Sequence, residues 1–511
     1  MSSQRIREGA RLIAAATTLA QDPTIQVPDG ADNTKGISLR AVLTDWDDKK
    51  QSTLLSRPIF DEAIYGTVRF HHRSVREYLT AEWLAQLLLR PASRRTIEAL
   101  LFHNQYGLDV IVPTMRPILP WLAILDEKVR EHLRKVAPEV VFEGGDPSAL
   151  PLATRRIIPA EVCEQIASGT SGRSATDYAA VQRFASADLA DAIRDLLIRY
   201  VTNDELRGFL IRMVWLGQLT VLLPQAKVIA LSPKTTKYTR VAAFRAVRAI
   251  GTPADQKELR ESFLVEGAIL NREWLGELLT DVEPMPDTIS WLLSALEKTE
   301  PKERYSVDRL TDAVALFVEA APIDLLPDLL AGLAGLLDQP PFVERGYCEV
   351  SGKFTWLMKG AALAVERLIR ARNPLALHKD SLGILYKFRA ASQWKDDVKD
   401  IKVEFAKLVP EWAALNRASL WYDVHTSRDG INRKHGRLTN YWQASVFGAF
   451  WRFATSDFEY ASDAIGTLPD QDDKLVALSL AFKIYVDNGR NHGDRDRPYQ
   501  ALYLNADSGG H

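Results

Sequence analysis

Along most of the chain, apolar residues recur at intervals of three and four, the period of a helix with one buried face, and prolines or glycines cut the pattern into segments of helical length. Val241, Phe244, Val247 and Ile250 keep this spacing until Gly251. Thr252, Pro253 and Asp255 then read as cap, first position and capping partner of a second helix, whose apolar face is Leu259, Phe263 and Leu264. The same rhythm returns in Ile289, Leu292, Leu293 and Leu296 behind Asp287, in Val314, Phe317 and Val318, and in the leucines from Leu325 to Leu337 behind Pro322. No single helix of this kind can bury a leucine face alone, so successive helices must stack. The expected fold is predominantly all-α, with an irregular α-solenoid from about residue 92 onward.

Near the N-terminus the pattern changes. Thr67, Val68, Arg69 and Phe70 alternate behind Gly66, the period of a half-buried strand. Ser74 and Glu77 have capping-box spacing, which predicts a helix starting at Ser74 and ending near Arg90 and Pro91, with a stripe of Val75, Tyr78, Leu79, Trp83, Leu84, Leu87 and Leu88. His72 and Arg73 then stand just before a helix N-terminus, where unpaired amides and the helix dipole favour an anion. Elsewhere, residues 118–133 and 187–201 are expected helices, and 143–151, 168–177 and 427–440 are expected loops. Residues 339–354 form either an extended loop or a small hairpin, and the tail NADSGGH is too small and polar to pack.

Two resemblances bear on these segments. Residues 239–264 resemble a HEAT-type helical repeat, so the expected solenoid is HEAT-like. Phe70, His72, Ser74, Val75, Glu77, Tyr78, Leu79 and Ala81 resemble the signature that closes the winged-helix domain of NACHT-type STAND ATPases, the class of NOD-like receptors and bacterial antiphage sensors. Residues 10–29, 43–46 and 57–60 are similar to the segment preceding that signature. The resemblance implies a small winged-helix-like remnant over 1–91, with His72 as the position that touches the phosphates of ADP in the off state and Arg73 beside it. It also implies a nucleotide-binding NACHT module in cis or in trans, and a protein ligand, of phage origin in the antiphage members. The expected organisation continues with a helical linker domain at 92–200, the HEAT-like solenoid at 201–338 and a C-terminal helical sensor region at 339–511. His72 also reads as a structural histidine closing a strand-to-helix corner.

Composition narrows the classes. The chain has 511 residues, 46% hydrophobic and 25% charged, with a net charge of −2, which suits a protein with a substantial core and excludes a globally basic nucleic-acid binder. No apolar run approaches the roughly twenty residues of a membrane span, and the N-terminus lacks a secretory core, so a cytoplasmic protein with no membrane partner is expected. Cys163 and Cys348 give no disulfide or zinc framework and are expected to be buried as small apolar residues.

No glycine-rich P-loop ending in Gly-Lys-Ser/Thr occurs, so the chain is expected to be the non-enzymatic part of such an ATPase, with ATP or ADP relevant only alongside a nucleotide-binding domain. HExxH and GxSxG motifs are absent too. Between Leu206 and Ala254 there are eight Lys or Arg and no Asp or Glu: Arg207, Arg212, Lys227, Lys234, Lys237, Arg240, Arg245 and Arg248. Such a run either lines a positive groove for an acidic protein or nucleic acid, with Lys227, Lys234, Lys237, Arg240, Arg245 and Arg248 as partner-binding residues, or solvates helix faces beside acidic neighbours. A second acid-free stretch, 430–456, mixes Arg433, Lys434, Arg437 and Arg452 with aromatics at helical spacing, which favours core packing over base stacking. Three functions are therefore open: the sensor portion of a NACHT-type ATPase, a stand-alone HEAT-like protein-interaction scaffold, and a nucleic-acid-binding solenoid.

Overall fold

The computed structural model describes the chain except for residues 29–35, 64–65, 170–177, 265–268, 304–308, 346–347, 394–395, 430–448 and 488–511. The chain divides into two compact units, residues 1–259 and 260–511, a division inside the segment expected to be one solenoid at 201–338.

The first unit opens with α1 (Ser3–Leu19), β1 (Ile25–Gln26), α2 (Leu39–Val42), α3 (Asp48–Leu55), β2 (Phe60–Glu62), β3 (Thr67–Phe70) and α4 (Arg73–Leu88). The strands form an antiparallel sheet in the order β1-β3-β2, with Ile25 opposite Val68 and Phe60 opposite Phe70. Gly66 takes φ +71°, which its missing side chain permits, just ahead of β3. α1 lies along α4, and Arg11 Nε donates to Glu82 at 2.8 Å while Tyr78 Oη donates to the same carboxylate at 3.0 Å.

The expected capping box at Ser74 does not form. His72 is the N-cap, with extended backbone at φ −120° and ψ 136°, and α4 begins one residue earlier, at Arg73. Glu77 is drawn instead to Arg73, whose Nε approaches Oε1 at 2.6 Å. A charged partner one turn back competes successfully with a backbone amide for that carboxylate.

The chain continues with α5 (Pro91–Leu101), β4 (Phe102–Gln105), β5 (Leu108–Ile111), α6 (Leu119–Leu125), α7 (Glu127–Val136), α8 (Leu152–Ala167), α9 (Tyr178–Phe184) and α10 (Ala190–Arg199). It then runs through α11 (Asp204–Leu216), α12 (Leu223–Leu231), α13 (Lys237–Ile250) and α14 (Pro253–Ser262). Helix α4 contributes to two cores. Leu79 joins a core with Ile13, Ile25, Trp46 and Phe70, whereas Leu84 and Leu88, farther along the same helix, join one with Leu101, Leu119, Leu122 and Leu133. Fully burying each such leucine stabilises by about 1.5–3 kcal/mol, so α4 is a spine common to both cores.

The β4–β5 hairpin was not legible in the sequence, because its side chains are largely exposed and its turn residues are Tyr106 and Gly107, both at positive φ. The expected helix at 118–133 is broken at Asp126, which caps α7 through Val129 N at 2.9 Å and pairs with Arg94 at 2.6 Å. The Thr252 cap does form: Thr252 N donates to Asp255 Oδ2 at 2.9 Å, and Asp255 N donates to Thr252 Oγ1 at 3.2 Å. α13, however, packs chiefly along α11 and α12 rather than along α14.

The second unit contains α15 (Arg272–Leu279), α16 (Pro286–Glu297), α17 (Leu310–Ala320), α18 (Leu326–Leu337), β6 (Phe342–Arg345), β7 (Cys348–Ser351) and α19 (Met358–Arg370). After them come α20 (Lys379–Ala391), α21 (Asp396–Lys399), α22 (Phe405–Leu408), α23 (Ala413–Asp429), α24 (Phe458–Thr467) and α25 (Gln471–Asp487). The helices stack in two rows: α15, α17 and α19 form one, and α16, α18, α20 and α23 another, with α19 packed against α18 and α20. β6 and β7 pair as a hairpin, so the open alternative at 339–354 resolves to that one.

Of the second acid-free stretch, Arg433, Lys434 and Arg437 lie outside the described residues, as do the tail and most of 168–177 and 427–440. The described part packs inward: Phe450 meets Phe405 at 5.5 Å, and Trp451 is 1% exposed and donates Nε1 to Asp423 at 2.9 Å. Both cysteines are buried, and burial pushes their thiols up to about 12, as expected of inert core residues.

Candidate functional site: the flanks of helix α4

The β3–α4 corner brings together the residues singled out from the sequence. His71 and His72 meet edge-on at 4.1 Å between ring centroids, but only His71 is tied down, its Nδ1 standing 2.6 Å from Asp61 Oδ2. His72 and Arg73 are exposed, and no side chain caps the helix. The first amides of any α-helix lack intrahelical acceptors, so this uncapped end with an imidazole at its N-cap is chemically suited to an oxyanion. The salt bridge from Arg73 to Glu77 lessens the benefit, because it neutralises the nearest cation.

Two clefts flank the first turns of α4, and the residues that mark them were missed in the sequence. One, of about 620 Å³, is largely apolar, lined by Ile6, Ile59, Val75, Tyr78 and Trp121 with Arg57 and Ser74. The indole of Trp121 stacks edge-on to Tyr78 at 5.3 Å, and its buried Nε1 has no acceptor among the described residues. The other, of about 370 Å³, lies between the end of α1, α4 and the turn ahead of α6, lined by Gln21, Arg73, Arg76, Glu77 and Thr114 among others. Arg76 is half-buried, and burial holds its guanidinium below the usual arginine value, with Glu77 opposing and Arg73 reinforcing that shift. In sequence, Arg76 is one more basic residue in RSVRE. Only the packing of α1 and the α6 turn against α4 shows that it lacks a partner.

The basic stretch from Arg207 to Arg248 is dispersed. Lys227 is held by Asp255 at 2.9 Å and by Glu258 at 2.5 Å, both on α14, so acidic neighbours do lie beside it. Thr252 first and Lys227 next drive the Asp255 carboxyl far below the usual range. Arg240 is 5% exposed and donates to Ser232 O; Arg207 is buried too and reaches Thr235 Oγ1 at 3.1 Å. Arg245 lies over the Trp215 ring at 5.1 Å, Lys237 sits 5.9 Å from the Tyr238 ring, Arg212 Nε donates to Gly208 O, Arg248 is half-buried and Lys234 is exposed.

Among the described residues, no group of three or more His, Cys, Asp or Glu is placed to hold a metal ion, and no helix is long and apolar enough to cross a membrane. His425 pairs with Asp473 at 3.0 Å and stacks on Trp421 at 5.9 Å, and among the described residues the pair belongs to no group placed to hold a metal. No protein-family model, curated protein or solved structure matches the chain.

Proposed function

We propose that this chain is the non-catalytic sensor or regulatory portion of a NACHT-type STAND NTPase in antiphage defence or signalling. In this reading residues 1–91 are the end of a winged helix, His72 and Arg73 face the phosphates of ADP held by a nucleotide-binding module in cis or in trans, and the stacked helices form an α-solenoid that recognises a protein ligand. Ligand binding disfavours the closed state, releases the His72 contact and lets subunits assemble. The observation that carries the reading is the exposed His72 imidazole at the uncapped N-terminus of α4, within a motif that resembles the family signature. The two rows of helices in the second unit support the solenoid part.

The test is to co-express the chain with a P-loop polypeptide encoded immediately upstream and to measure ADP retained by the purified complex. Retention that His72→Ala abolishes is the expected result, with no ATP turnover by this chain alone. A chain that hydrolyses ATP alone and loses that turnover in His72→Ala, or an upstream region without a P-loop, overturns it.

The stacked rows also favour a second reading, a HEAT-like scaffold that binds a protein without nucleotide. A stable partner recovered equally from wild type and His72→Ala, with or without ADP, selects the scaffold. The nucleic-acid reading draws less support, since Lys227 is ion-paired and Arg240 buried. A salt-dependent mobility shift on RNA or DNA, removed by charge reversal at Arg245 and Arg248, would restore it.

A further inference from the structure

We propose that the cleft between α1, α4 and the turn ahead of α6 binds a small organic monoanion, a carboxylate or a phosphodiester, through the guanidinium of Arg76. The inference uses neither His72 nor a nucleotide-binding module and goes beyond the reading above.

Arg94 meets Asp126 at 2.6 Å, Arg116 meets Glu143 at 2.6 Å and Arg134 meets Glu161 at 2.5 Å. Each of these three guanidiniums has a carboxylate beside it, and the more deeply buried Arg240 is met by the carbonyl of Ser232. Arg76 has neither kind of partner: like several arginines here it has a buried Nε with no acceptor, but its whole guanidinium makes no hydrogen bond or ion pair with any described residue. Glu77 is next to it in sequence but is committed to Arg73. A partly desolvated cation without a partner destabilises the fold, so its retention points to an anion supplied from outside.

The cleft specifies the rest. Its charged lining is Arg73, Arg76 and Glu77, and the Arg73–Glu77 pair cancels, which leaves one positive charge. A single negative charge matches it, whereas a dianion would leave one charge uncompensated away from bulk water. The planar guanidinium offers a fork of donors that suits two oxygens of one acid group, as carboxylates and phosphodiesters present.

Of the hydroxyls at the cleft, Thr17 is used by the carbonyls of Ile13 and Ala14, and Thr18 by Thr80 at 3.2 Å. Gln21 and Thr114 have no side-chain bond within the described residues and remain to read the ligand's polar body. Pro23, Pro113 and Pro117 form stiff walls, so little chain ordering accompanies binding. The volume, about 370 Å³, lies within the range of about 300–1,000 Å³ usual for small-molecule sites.

The experiment is calorimetric titration of the full chain, at constant ionic strength and pH 8, with benzoate, dimethyl phosphate and inorganic phosphate. Saturable binding of benzoate or dimethyl phosphate is expected, with the tighter of the two naming the natural acid group. Arg76→Gln should weaken it at least tenfold, Thr114→Trp should block the mouth, and His72→Ala should leave it unchanged. No saturable binding by wild type, binding that survives Arg76→Gln, or tighter binding of dianionic phosphate than of both monoanions overturns the proposal. If Arg76→Gln fails to fold by circular dichroism, Thr114→Trp, which alters only an exposed rim position, decides between the same outcomes.

Discussion

Arg76 in the first unit and Arg389 in the second are both arginines drawn into the protein on helices, and they are treated in opposite ways. Arg389, on α20, is 4% exposed, forms an ion pair with the buried Asp423 of α23 at 2.9 Å and lies over the Tyr386 ring at 5.0 Å, although its Nε and Nη1, like Arg76 Nε, make no hydrogen bond among the described residues. Asp423 in turn accepts from Trp451 Nε1, so one carboxylate gathers three segments of the chain. Arg76 is less buried and has no carboxylate paired with it among the described residues. The charge that is matched in place fixes an interior, and the charge that is left open makes a binding surface. The same distinction separates the α4 flank from the acid-free stretch at 206–254, where Lys227, Arg207 and Arg240 are consumed by neighbours.

The sharpest way to break this contrast is to remove the matching carboxylate. Asp423→Ala strands a buried guanidinium, and a loss of about 3–5 kcal/mol is expected in urea unfolding near neutral pH. A loss below about 1 kcal/mol would show that the pair does not hold α20 to α23.

A second, smaller effect is the pH dependence. Burial raises the Asp423 carboxyl to about 6, against the pull of Arg389 and Trp451. The folded protein therefore holds this proton more tightly than the unfolded chain. Its contribution to stability is complete below the ordinary aspartate value near 4 and is lost as pH rises through about 6. Unfolding midpoints measured between those limits should decline in wild type relative to Asp423→Asn, and parallel curves would refute the raised value.

Arg76→Met is the converse of Asp423→Ala. It removes a cation that nothing in the fold satisfies, so the melting temperature should equal or exceed that of wild type. A clear drop would mean that the guanidinium has a structural partner, and the contrast would dissolve.

The smallest expected change is Lys227→Ala, which removes an ion pair at the protein surface. It should lower stability slightly in dilute buffer and not at all at high salt, as read from paired thermal melts. Salt-independent destabilisation would place Lys227 among the buried pairs instead.

Much of the helical outline was legible because period and punctuation act locally. Gly251, Thr252 and Asp255 end one helix and start the next through bonds within four residues, and Thr67–Phe70, where alternation predicts a strand, pairs with a strand on each side. The candidate site was half legible. The sequence placed His72 and Arg73 at a helix start, yet it assigned Glu77 to a backbone amide when Arg73 was the stronger competitor. The hairpin at Tyr106 and Gly107 escaped because its side chains face solvent and carry no burial pattern.

By itself the sequence determined that this protein is mostly helical, that one helix ends and the next starts at Gly251 and Thr252, and that one corner carries a histidine ahead of a helix. Those features depend on interactions a few residues long. Tertiary structure alone decided that α4 serves two cores, that helices of the second unit stack in two rows, and which arginines meet a carboxylate. The physical reason is that whether a charge is satisfied depends on groups far away in sequence. Arg389 finds Asp423 across two helices, whereas the segments packed beside Arg76 bring it no carboxylate beyond the one Arg73 has already taken.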